Sequence, residues 1–89
     1  MAQAVGDPEE LRIFADKLQR YLEILDEETN HLTATFEQLG DTWNDCKRDE
    51  FAMIYEEFNH ALDTLMESAS DQIPHLRTMA DDLETYLGR

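Results

Sequence analysis

Apolar residues recur along this chain in two long runs, and the polar residues between them decide what those runs become. In the first, Leu11, Leu18, Leu25, Leu32 and Leu39 repeat at a spacing of seven, with Phe14, Ala15, Tyr21, Leu22 and Phe36 between them. Glu28, Thr29 and Thr35 are the polar members of the same rows. In the second, Phe51, Tyr55, Phe58, Leu62, Leu65, Ala69, Gln72, Leu76, Met79, Leu83 and Tyr86 follow in alternating steps of four and three. Ile54, Ala61, Ile73, Ala80 and Leu87 widen that stripe. A repeat between three and four places side chains on one face of an α-helix. A stripe this broad meets more than one neighbour.

The punctuation agrees. Asp7-Pro8-Glu9-Glu10 reads as a helix start: Asp7 caps, Pro8 suits the first helical position, and Glu10 stands where a capping-box carboxylate belongs. Residues 1–7 carry no apolar pattern and read as a flexible arm. A first helix over 8–39 would be roughly 48 Å long at the standard rise. Gly40 is placed to end it in a left-handed conformation. Asp41 or Thr42 then caps a second helix over 44–87, with Asn44 and Asp45 in its first turn and the bend at 40–43. Pro74 removes one backbone donor, so that helix is expected to kink there while its apolar phase continues. The fold class is all-α: an antiparallel helical hairpin in a single domain over 8–89.

Two helices alone leave half of each stripe in water. Phe14, Phe36, Phe51 and Phe58 would each bury on the order of 150–250 Å² if covered. Pairing with a second hairpin into a four-helix bundle meets that need, as a homodimer or with a related partner. Counting outward from a bend at Trp43 sets Leu25 against Leu62, Leu18 against Ala69 and Leu11 beside Leu76. On that registry the turns from Ala80 onward project past the first helix. Leu83, Tyr86 and Leu87 are then the candidate partner-binding residues. Trp43 is expected to fold back over Leu39, Phe36 and Phe51.

Charge narrows the partners. With 21 acidic residues against 7 Lys and Arg, the net charge is -14. Nucleic acid and anionic membrane faces are polyanions and are excluded as partners, whereas a basic protein is favoured. No segment approaches the ~20 apolar residues of a membrane span. Without a classical signal peptide the expected compartment is the cytoplasm, with export by another route as the alternative. Cys46, the lone cysteine, reads as a small, at least half-buried residue beside the bend.

One chemical motif stands out. Glu28-Thr29-Asn30-His31 and Glu57-Phe58-Asn59-His60 both match Glu-x-x-His, the spacing of carboxylate-bridged di-iron bundles. Glu28, His31, Glu57 and His60 are therefore the candidate metal ligands of an alternative reading. Both histidines fall beside the apolar stripes. Cys46 with His31 or His60 would make a nucleophile pair, but no Gly-rich loop, oxyanion site, phosphate-binding loop or zinc spacing accompanies them, so no enzyme and no cofactor is expected.

The whole layout resembles the WXG family of hundred-residue helical hairpins linked to type VII secretion and polymorphic toxins. The likeness lies in the first amphipathic helix ending at Leu39, the turn Trp43-Asn44-Asp45, Phe51 and Phe58 leading the second helix, and the ending from Ala80 to Tyr86. It implies an antiparallel hairpin that pairs with itself or a relative, as a secreted protein or as escort to a larger secreted or toxin protein. Asp45 stands where the Trp-x-Gly motif has glycine. The family's tail signal, Tyr followed four residues on by Asp or Glu, is not found: Tyr55 reaches Asn59.

Overall fold

The computed structural model describes residues 6–88. Helix α1 spans Pro8–Leu39 and helix α2 spans Cys46–Tyr86, and they lie antiparallel in a hairpin 65 Å long and 19 × 18 Å across. The expected flexible arm falls mostly on residues 1–5, outside the described residues.

Helix α1 begins as its sequence indicates. The Asp7 carboxylate accepts from the Glu9 N–H at 2.9 Å, and the ring of Pro8 is buried. Its end corrects the expectation for Gly40, whose φ is -58° rather than left-handed. The chain leaves α1 through a tightened turn, in which Gly40, Asp41 and Thr42 donate to the carbonyls of Glu37, Gln38 and Leu39. These i→i+3 bonds satisfy the terminal carbonyls without a positive φ. The glycine has a spatial reason instead. A Cβ there would lie 3.1 Å from the Glu37 carbonyl and 3.3 Å from an Arg48 guanidinium nitrogen.

The start of α2 is also corrected. Asp41 and Thr42 are spent in the exit from α1, so neither caps. Asp45 does, accepting from the N–H groups of Lys47 and Arg48 at 2.9 and 3.1 Å. Asn44 and Asp45 thus precede the helix rather than lie in it. The helix then runs unbroken through Pro74 to Tyr86. It ends at Leu87, followed by Gly88 at φ +75°, a conformation that favours glycine.

Packing between the helices is thin. Among the described residues, Ala15, Ile73 and Ala80 are the buried hydrophobic ones besides Pro8, while Leu18, Leu22, Leu25, Leu62, Met66 and Leu76 are half-buried. Leu32 and Leu39 leave the seam, 55% and 43% exposed. An α-helix turns 3.6 residues, so a strict seven-residue row drifts about 20° per heptad. By the fourth leucine the row has rotated outward, and Thr33 and Phe36 take its place.

The registry at the open end is a further correction. Extrapolation from the bend places Arg12 near His75, yet its guanidinium meets Asp81 and Glu84. Ala80 is fully buried, and a Cβ on Gly6 would lie 3.5 Å from Leu83. The turns from Ala80 to Glu84 therefore pack on α1 instead of projecting past it. Helical side chains lean toward their own N-terminus, so in an antiparallel pair each long arm reaches about a turn further than the backbone count suggests.

Candidate interaction surface

At the bend, aromatic rings do the joining. Phe36 of α1 lies 5.6 Å from Phe51 and 5.0 Å from Tyr55, and Trp43 lies 6.3 Å from Phe51. Phe51, Tyr55 and Phe58 continue as a stacked ladder along α2. Trp43 is half-buried, its backbone N–H donating to the Leu39 carbonyl at 2.6 Å. The Arg48 guanidinium sits 4.8 Å above the Phe36 ring, in the space left by Gly40, and its Nε is buried without a hydrogen-bond partner. A cation over a ring face is attracted by the ring quadrupole. Sequence reading passed over Arg48. The available signal was position: Arg48 falls one heptad before Tyr55, on a row otherwise filled by packed residues.

From the bend outward, the hairpin has two unlike flanks. On one, the rows beside the seam are Phe14, Tyr21, Glu28 and Thr35 on α1, and Phe51, Phe58, Leu65, Gln72, Met79 and Tyr86 on α2. Phe14, Tyr21, Phe58 and Leu65 are 55%, 59%, 54% and 66% exposed. The next rows out, Lys17 to Gln38 on α1 and Lys47 to Asp82 on α2, include Ile24 and Ile54. Charge is sparse across these rows.

The opposite flank is polar and strongly acidic. Arg12 donates to Asp81 at 2.7 Å and to Glu84 at 3.1 and 3.2 Å, and also pairs with Glu9 along its own helix. The hydrogen bonds to Glu84 and then Asp81 raise the Arg12 pKa, fixing its charge. Arg77 donates to Asp16 and Gln19, both at 2.9 Å. In antiparallel helices like flanks face each other, which is why arginine meets carboxylate on one side and apolar meets apolar on the other.

Between the flanks, the middle of the seam carries a polar layer. Thr33 and Tyr55 share a hydrogen bond of 2.9 Å across the helices. The Thr29 hydroxyl donates to the Leu25 carbonyl at 2.7 Å, and Asn59 Oδ1 is buried without a partner. This is the polar gap that Glu28 and Thr29 announced, although Glu28 itself points to solvent.

The candidate metal ligands do not converge. Glu28, His31, Glu57 and His60 are all exposed, and among the described residues no group of three His, Cys, Asp or Glu side chains is placed to hold an ion. Two helical motifs can share a metal only when both face the seam, and these face away from it. Cys46 is exposed as the first residue of α2, not covered by the bend. Of the tail residues, Leu83 is half-buried, whereas Tyr86 and Leu87 are 77% and 39% exposed. No described helix is long and apolar enough to cross a membrane.

The family model described as WXG100, proteins of 100 residues with WXG, matches residues 6–86. No curated protein and no solved structure matches the chain.

Proposed function

The chain belongs to the WXG100 family, a group of secretion-related helical proteins, and on that premise we propose a non-enzymatic interaction module that works as a paired hairpin. The observation that carries this reading is the apolar flank. Phe14, Tyr21, Leu32, Phe58 and Leu65 stand more than half exposed on both helices of one side. Contiguous exposed apolar surface of this kind marks an association site. A second hairpin laid on that flank gives a four-helix bundle. Because the flank carries little charge, a second copy of this chain fits it without burying like charges, and a homodimer is the first expectation. A related hairpin is the other occupant.

In this reading the pair travels as a secreted protein or escorts a larger secreted or toxin protein. Tyr86 and Leu87, with Leu83 beneath them, extend the apolar flank at the open end and serve as contacts for that cargo. Gly40, Trp43, Asn44 and Asp45 form the bend that holds the flank together. Asp45 replaces the motif glycine at no conformational cost, since its φ of -134° suits any residue and its carboxylate caps α2.

Light scattering of the pure protein at micromolar concentration tests the pairing. The expected mass is twice the 10.4 kDa of the chain. A folded particle of single-chain mass would reject the homodimer, and pairing restored only by a co-expressed relative would favour the heterodimer.

A further inference from the structure

We propose that the acidic flank carries a second docking site, distinct from the pairing surface, for a basic amphipathic helix of a partner protein. The site is an open groove of about 640 Å³ across the two helices at mid-length. Leu22, Met66, Ile73 and Pro74 supply apolar lining, and Glu23, Asp26 and Glu67 supply acidic lining. Ile73 is among the few buried residues of the fold, so the groove reaches down to the seam.

Two features identify its occupant. The first is uncompensated charge. At the open end of this same flank, Arg12 pairs with Asp81 and Glu84, and Arg77 pairs with Asp16. No ion pair within the described residues reaches Glu23, Asp26 or Glu67. The second is a break in the backbone bonding of α2. Pro74 has no N–H to give the carbonyl of Ser70, its partner four residues back in α2, and both residues line the groove. Carboxylates above an apolar floor accept lysine or arginine, whose aliphatic stem covers carbon while the charged head donates. A second copy of this chain, at net charge -14, is repelled from such a rim.

The test uses the full chain and a fluorescein-labelled helical peptide of leucine and lysine in amphipathic spacing, with a leucine–glutamate peptide as control. Anisotropy at low salt should show binding of the lysine peptide only. Glu23→Gln, Asp26→Asn and Glu67→Gln together should weaken it by about tenfold or more, since each exposed pair contributes modestly. Glu27→Gln, Glu50→Gln and Glu57→Gln together remove the same charge from outward positions and should weaken it by less than about threefold. Circular dichroism confirms that both variants remain helical. Amide shifts in the labelled chain should centre on Leu22, Met66 and Ile73. Equal losses in the two variants, or no binding of the lysine peptide, would overturn the proposal. So would a drop in particle mass in the groove variant, which would make the occupant a second copy.

Discussion

Two flanks built from the same pair of helices meet water in opposite ways. On the acidic flank, Arg12 and Arg77 bridge the helices, so part of its contact is made within the chain. On the apolar flank, Phe14, Tyr21, Phe58 and Leu65 remain more than half exposed. The difference shows that the stripe read as one broad face of α2 is two half-faces. Tyr55, Leu62, Ala69, Leu76 and Leu83 turn to α1, while Phe58, Leu65, Met79 and Tyr86 turn away from it. Intramolecular packing uses the first set. The second set is left for association.

The largest expected effect comes from placing charge on the apolar flank. Phe58→Glu with Leu65→Glu should convert the paired particle to single chains, because burying an unpaired carboxylate costs several kcal/mol. Met53→Glu, on the other side of α2, should leave the mass unchanged, and size measurement of both variants checks the contrast. Next in size is Leu25→Ala. Half-buried in the hairpin, it should cost about 2–5 kcal/mol in denaturant unfolding when a second hairpin covers it, and roughly half that in a single chain. Trp43→Ala should cost about 2 kcal/mol, below the range for a fully buried ring, since this ring is half-buried. The smallest effect belongs to the polar flank. Arg12→Met should leave the mass intact and speed hydrogen exchange at Ala80 to Glu84. Added salt should produce a weaker version of the same change in the parent protein.

Much of this was legible in the sequence, and the misses share a cause. The span of α1 could be read because Asp7-Pro8 and Gly40 bracket an uninterrupted pattern. The start of α2 could not, because Asp41, Thr42 and Asp45 are equally good caps by residue type. The hydrogen bonds leaving α1 decide among them. Gly40 was correctly seen as the end of a helix but for the wrong reason, since Arg48 folding over Phe36 is a tertiary fact. The registry at the open end depended on how far an arginine leans, which periodicity does not encode. The Glu-x-x-His motifs were sound as spacing, but His31 and His60 sit off the seam, so spacing alone never brought them together. Asp45 in place of the motif glycine looked like a departure and is instead a helix cap.

If a second hairpin covers the apolar flank, side-chain solvent access reports it without intermediaries. Leu65 and Met53 are 66% and 67% exposed in the hairpin, so a single chain treats their methyl groups alike. With a soluble paramagnetic agent added to methyl-labelled protein, strong relaxation is expected at Met53 and marked protection at Leu65 and Leu32. Equal relaxation at Leu65 and Met53 would contradict coverage by a second hairpin.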